Sequence, residues 1–271
     1  MGTIEADRAG RGARARPLAQ RRGAAKIHAM RALVVSLVVL ASAVPARALA
    51  CGASGPGGVG VAGCSLEEHA EATRAHWRVG AGYAFTSTAI RLSGDRRADE
   101  VRHSAAATLD YRPTSRVTIQ LGVGAVLGGS IDARHDVDPG FAAIAGVSWR
   151  AVDATGARPF VLLGAQLAAS ATTTHERAPN ASAVGYEAFD LRLGAASGWV
   201  IARTLSAYAI ARAFGGPIFW RVAGEAVTGT DVYHYQLGAG LAVVLARAFD
   251  LYVEGVALGE RGVTAGLGWS F

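Results

Sequence analysis

Val263-Thr264-Ala265-Gly266-Leu267-Gly268-Trp269-Ser270-Phe271 closes the chain in unbroken alternation. Val263, Ala265, Leu267, Trp269 and Phe271 are apolar, and the residues between them are small or polar. Successive side chains of a strand point to opposite faces, so this segment reads as a strand with one apolar face. The pattern continues upstream. Phe249, Leu251, Val253, Gly255 and Ala257 alternate with Asp250, Tyr252, Glu254, Val256 and Leu258. Tyr233, Tyr235, Leu237, Ala239, Leu241 and Val243 alternate with His234, Gln236, Gly238 and Gly240. Strands of soluble proteins average about five or six residues. These runs reach about ten, the length that crosses a bilayer core at a tilt of about 45°.

Ten such runs can be marked: Trp77–Leu92, Val101–Arg112, Arg116–Ser130, Gly140–Val152, Pro159–Thr172, Ala183–Ile201, Leu205–Val222, Asp231–Ala246, Phe249–Leu258 and Gly262–Phe271. The count is even, as single-chain bacterial barrels require. Short links (Pro113-Thr114-Ser115, Ala202-Arg203-Thr204, Arg247-Ala248) alternate with longer ones (Ser93–Glu100, Ile131–Pro139, Thr173–Ser182, Ala223–Thr230) and a tight Gly259-Glu260-Arg261. Short periplasmic turns against longer outer loops are barrel topology, with both chain ends on the periplasmic side. Closure also removes the sheet edges that lipid could not satisfy. The expected fold is all-β: a closed antiparallel up-and-down transmembrane barrel over 77–271, of about ten strands, with eight as the alternative.

Composition agrees. Of 271 residues, 51% are hydrophobic and 18% charged, the reverse of a disordered chain. Residues 1–50 hold nine Lys/Arg against two Asp/Glu; residues 51–271 hold 18 Arg, no Lys and 19 Asp/Glu. The basic balance therefore belongs to the N-terminal arm. The remainder is nearly neutral and lacks the basic footprint of a nucleic-acid binder.

Met30-Arg31 followed by the apolar Ala32–Val44, Pro45 and Ala48-Leu49-Ala50 has the layout of an export signal cleaved before Cys51. The apolar run is too short to span a membrane as a helix. Residues 1–29 form a basic extension, and Met30 alone could start a complete signal. Residues 51–76 would then be periplasmic, beginning with a Gly-rich loop between Cys51 and Cys64. An oxidising compartment allows a disulfide there; a lipidated Cys51 and free thiols are the other readings. Ser65-Leu66-Glu67-Glu68 has capping-box spacing for a short polar helix to about His76.

Alternation also assigns faces. Odd-numbered residues form the apolar, lipid-facing set, with girdle aromatics at Trp77, Tyr83, Phe85, Tyr111, Trp149, Phe189, Trp199, Tyr233, Tyr235, Phe249, Trp269 and Phe271. Even-numbered residues face inward and carry most of the strand charge: Arg78, Arg102, Asp110, Arg112, Arg150, Asp190, Arg192, Arg212 and Glu254, beside Gln120, Gln166, Tyr208, His234 and Gln236. Glu187 and His103 break parity and are expected near strand ends. Asp110 with Arg112, and Asp190 with Arg192, stand two apart on one face. Six Arg against three carboxylates would give an Arg surplus. That surplus suits a narrow anion-preferring pore; a plugged interior of ion pairs is the other reading, since about ten strands leave little free space.

The export signal and the Leu267-Gly268-Trp269-Ser270-Phe271 terminus give the chain a resemblance to small Gram-negative outer-membrane β-barrel proteins of the opacity-protein or outer-membrane β-barrel-domain type. It covers about 77–271. It implies outer-membrane lipid and the barrel-assembly machinery as partners, with Leu267, Trp269 and Phe271 as the assembly signal. It implies a structural or passive-pore role, or alternatively recognition of an extracellular ligand through the outer loops. In strand count the chain is also similar to the omptin proteases, but their paired acidic motifs on facing strands are not visible. Asp132, His135, Asp136 and Asp138 read as a solvated acidic loop. No nucleophile-elbow, zinc-protease or phosphate-loop motif occurs, so no enzyme activity, cofactor or metal is expected.

Overall fold

The computed structural model describes residues 76–271, apart from 180, 202–203, 223 and 247–248. The expected extension, export signal, Cys51, Cys64 and the helix from Ser65 lie outside the described residues. The strands are β1 (Trp77–Leu92), β2 (Arg96–Tyr111), β3 (Val117–Ile131), β4 (His135–Val137), β5 (Gly140–Val152), β6 (Phe160–Glu176), β7 (Val184–Ile201), β8 (Leu205–Gly215), β9 (Ile218–Val222), β10 (Glu225–Asp231), β11 (Tyr235–Ala246), β12 (Phe249–Gly259) and β13 (Arg261–Ser270).

Two antiparallel rings are built on one another. The lower ring has ten strands and runs β1-β2-β3-β5-β6-β7-β8-β11-β12-β13 and back to β1. Its seam closes where the chain begins and ends: Trp77 and Phe271 exchange backbone hydrogen bonds of 3.2 and 2.9 Å. At the end remote from the termini, the ring has eight strands, β1-β2-β3-β4-β6-β7-β9-β10. The cause is strand length. The β12–β13 hairpin turns back at Gly259–Arg261, while β1 and β2 run on to Leu92 and Arg96. Beyond that hairpin tip β1 finds a new partner in β10, Ile90 opposite Asp231 and Leu92 opposite Gly229. On the other side, β4 takes over from β5 between β3 and β6.

This second ring corrects the expected loops. Ser93–Glu100 is a loop only over residues 93–95; β2 begins at Arg96, five residues earlier than the apolar pattern suggests. Gly94 and Asp95, with φ of 77° and 58°, supply the left-handed turn that lets the two strands continue. Ile131–Pro139 contains β4, Thr173–Ser182 begins inside β6, and Ala223–Thr230 is largely β10. Leu205–Val222 is not one strand, because Gly216-Pro217 interrupts it between β8 and β9. The expected loop asymmetry is thus taken up by strand extensions.

Parity holds in the lower ring. Exposed apolar residues there are odd-numbered almost throughout, with Leu121 58%, Val123 60% and Leu167 60% exposed, whereas the even-numbered Arg78, Glu254 and Asp250 are at most 2% exposed. In the upper ring parity holds on β1, β2, β7 and β9, where Ile90, Leu92, Ala98, Tyr186, Ile218 and Trp220 face inward, and fails at the end of β3 and on β4 and β10. A bulge between His103 and Ser104 shifts the register of β3, and Ile131 turns inward. Val137 and Val227 are also odd-numbered and buried. His103 lies in the middle of β2 rather than near its end. Its Nδ1 is 2.6 Å from the Tyr83 hydroxyl, and its ring packs 5.2 Å from that of Phe85.

Candidate functional site

Three layers of charge cross the lumen of the lower ring. Nearest the termini, Arg78 donates through Nε (2.9 Å) and Nη2 (2.6 Å) to Asp250 and through Nη1 (2.9 Å) to Asp110. Gln120 donates to the other Asp110 oxygen at 2.9 Å. Register explains the triad. Arg78 stands opposite Asp110 on β2 and Ser270 on β13, and Asp250 stands opposite Gly268 one strand further. Arg78 must cross β13 to reach Asp250. It does so over Gly268, where a Cβ would collide with the guanidinium. A glycine inside the C-terminal strand is therefore the space that one buried arginine occupies.

In the second layer, Arg212 Nη2 lies 2.6 Å from Glu254 and Nη1 donates to Gln236 at 3.3 Å. Tyr208 and Tyr252 fill the space beside it. Their rings lie over Gly240 and Gly266, and both belong to an apolar cluster with Phe160, Leu162, Ala196, Ile210 and Ala242. In the third layer, Arg192 pairs with Asp190 on its own strand and with Glu260 at 3.0 Å, its guanidinium 4.9 Å from the centre of the Phe214 ring. Arg102 faces Glu100 at 3.8 Å and donates to Ser170 at 3.2 Å; Tyr186 donates to Glu100 at 2.9 Å.

The layers revise the expected network in two ways. Asp190 and Arg192 pair as their spacing suggests. Asp110 and Arg112 do not: Asp110 belongs to Arg78, and Arg112 makes no side-chain ion pair among the described residues. Arg112 and Arg150 stand at the terminal mouth, Arg150 3.6 Å from Asp153. Burial, with Arg150 as a like-charged neighbour, lowers the Arg112 pKa to about 10. The Arg surplus also disappears. Glu100, Asp250 and Glu260 are buried carboxylates that join Asp110, Asp190 and Glu254, so the three layers hold six carboxylates against four Arg, with Arg112 and Arg150 at the terminal mouth. In the sequence Glu260 reads as the tip of a turn and Glu100 as the end of the Ser93–Glu100 loop, while Asp250 reads as an inward position in its alternating run.

Above the third layer the upper ring is filled with Ile90, Leu92, Ala98, Val126, Ile131, Val137, Tyr186, Ile218, Trp220 and Val227. Trp220 donates through Nε1 to the buried Thr174 hydroxyl at 2.8 Å, so its polar atom is satisfied. Outside this cap, at the rim, His175 Nδ1 is 3.1 Å from Asp138, Thr173 donates to Asp138 at 2.8 Å, and Arg177 Nε donates to Asp136 at 2.8 Å. The hydrogen bond from Arg177 holds the Asp136 carboxyl below its ordinary range. Asp132 takes a left-handed turn, φ 52°, and accepts the Asp99 amide at 2.8 Å.

A closed ring that buries Arg and Glu inside and shows Leu and Val outside inverts the arrangement of a soluble protein, and only a lipid surround satisfies it. This is a membrane-spanning antiparallel β-barrel. Aromatic residues mark its edges: Trp77 with Tyr111, and Phe249, Trp269 and Phe271, near the termini; Phe189 with Phe219, and Tyr233 with Tyr235, towards the upper ring. No family model matches the chain, and no curated sequence does. Among solved structures, the outer-membrane protease OmpT of Escherichia coli is similar at 9% identity and a TM-score of 0.48, covering 72% of this chain and 97% of that one. The translocator domain of autotransporter NalP from Neisseria meningitidis matches at 14% identity and 0.43, covering 76% and 91%. OprG from Pseudomonas aeruginosa matches at 11% and 0.38, covering 73% and 97%.

Proposed function

We propose that this protein is a closed structural barrel of the outer membrane, with a lumen that does not conduct. The supporting observation is the apolar cap in the eight-stranded upper ring, centred on Trp220, Tyr186, Ile90 and Ile131. An ion crossing the lumen would have to leave three layers of paired charge for an apolar plug with almost nothing to solvate it. With carboxylates outnumbering Arg in those layers, the reason for expecting anion preference is gone. At the rim, the Thr173 hydroxyl donates to Asp138 and not to His175. The proposed reading involves no catalytic step.

Planar-bilayer recording of the purified barrel tests it. The expected trace is flat at moderate voltage. Steady, reproducible channel openings would restore the pore reading.

A further inference from the structure

Two arginines stand side by side on the outer wall of the β1–β2 hairpin. Arg91 and Arg97 are directly opposed in the register, and both are exposed. Both are odd-numbered and continue the outward face of Phe85, Ser87 and Val101 on which the apolar belt lies. Opposed residues of an antiparallel pair hold their Cβ atoms about 5 Å apart, where like charges destabilise the pair. Neither arginine makes an ion pair among the described residues. The nearest outward carboxylate in register is Asp99, one row closer to the membrane, opposite Ala89. Asp95 lies in the turn, and Arg96 opens β2 opposite Leu92.

One of the two arginines is held in place. The Arg97 guanidinium lies 5.8 Å from the centre of the Tyr233 ring, and Nη2 is 3.4 Å from the Tyr233 hydroxyl. Tyr233 packs edge-on against Tyr235 at the upper edge of the exposed apolar surface. Thr230 of β10 flanks Arg91 on its other side. The wall thus presents two opposed arginines, a hydroxyl and an aromatic boundary, directly above the exposed apolar face.

We propose that Arg91 and Arg97 bind a phosphate group on the headgroup of an outer-leaflet lipid. Two guanidiniums carried by opposed residues suit a phosphate, whose oxygens accept charge-assisted hydrogen bonds from both. An anion between them also removes their mutual repulsion. A lipid is favoured over a free anion because the same face leads down through Ser87 and Val101 to Phe85 and Tyr83, where acyl chains lie. The site is independent of whether the lumen conducts.

The test uses the purified full chain in detergent and a bisphosphorylated glucosamine-disaccharide lipid as probe, with binding followed by native mass spectrometry. The comparison lipid is the same molecule with both phosphates removed. Arg91→Gln/Arg97→Gln should weaken binding of the phosphorylated lipid by about tenfold or more and leave the dephosphorylated lipid unaffected. Arg97→Lys, which keeps the charge, should retain much of the binding. The control pair Arg116→Gln/Arg158→Gln, near the opposite mouth, should change nothing. Heat-shifted gel mobility checks that each variant is folded. Equal loss in both double variants, no loss in either, or full displacement by millimolar inorganic phosphate would each overturn the proposal.

Discussion

The ten-stranded lower ring and the eight-stranded upper ring obey different rules, although the same strands build both. The lower ring is organised by its surroundings: lipid outside forces an apolar odd face, and polar residues turn inward and pair. The upper ring stands clear of the lipid belt and is organised as a small soluble barrel, with an apolar interior and a polar wall. Strands such as β1 and β2 change roles partway along, from Arg78 and Asp110 in the charged lumen to Ile90, Leu92 and Ala98 in the apolar cap. The difference shows that charge turns inward at membrane depth, packed among apolar fillers such as Phe160 and Ile210, whereas the interior of the upper ring is apolar.

The sharpest way to break this contrast is to remove a charge from the lower lumen. Arg78→Met would leave Asp110 and Asp250 buried without their cation. Loss of one member of a buried network costs about 3–5 kcal/mol. Heat-modified gel mobility should show a large drop in the unfolding temperature. Gly268→Val should act in the same direction by driving Arg78 off Asp250, and comparing the two separates the missing charge from the missing space.

In the upper ring the matching change is Trp220→Ala. Large-to-small changes of a buried aromatic cost about 3–5 kcal/mol in a cooperative core. Here the loss should be largely confined to the cap, because the ten-stranded ring keeps its own pairing. The expected outcome is a small shift in barrel unfolding together with new ion conductance. A shift as large as that of Arg78→Met would show that the rings unfold as one unit.

A smaller effect is expected at the junction. Burial, with Asp190 and Glu260 nearby, pushes Asp231 up to about 7. The folded barrel therefore holds this proton more tightly than the unfolded chain does. The resulting stabilisation is complete below the ordinary carboxylate range and is lost as pH rises towards 7. Asp231→Asn should flatten that part of the stability–pH profile, measured by unfolding at about pH 4 and about pH 8. The smallest effect belongs to the solvated rim. There the Arg177 hydrogen bond keeps Asp136 ionised to lower pH, so its contribution is present at neutral pH and fades on acidification. Asp136→Asn should scarcely move the barrel's stability at neutral pH, since exposed ion pairs contribute little.

The two rings were also unequally legible in the sequence. Strict alternation over about ten residues carries the lipid-facing ring and its inward set, because lipid imposes that pattern on every strand. Arg78, Arg192, Arg212 and Glu254 fall where parity puts them. Pairing partners are a matter of register, which alternation does not encode: Asp110 answers Arg78 across strands and not Arg112 two residues away. The upper ring carries no lipid signal. Its strands mix Arg and Asp outside with Ala, Ile, Val and Trp inside, as in Arg97-Ala98-Asp99 with Ala98 inward, and read as loop. Gly94-Asp95 was the available clue, since a glycine followed by Asp suits a tight hairpin turn and implies strands on both sides.

The central claim is that the upper ring seals the lumen below it. Ser104 lies inside the barrel on β2, 4% exposed, below the cap. Ser104→Cys, treated in intact cells with a charged, membrane-impermeant maleimide, measures access to the lumen from outside. The account predicts no labelling in the single variant and labelling once Trp220→Ala is added. Rapid labelling of Ser104→Cys with Trp220 in place would show an open path through the upper ring and contradict the account.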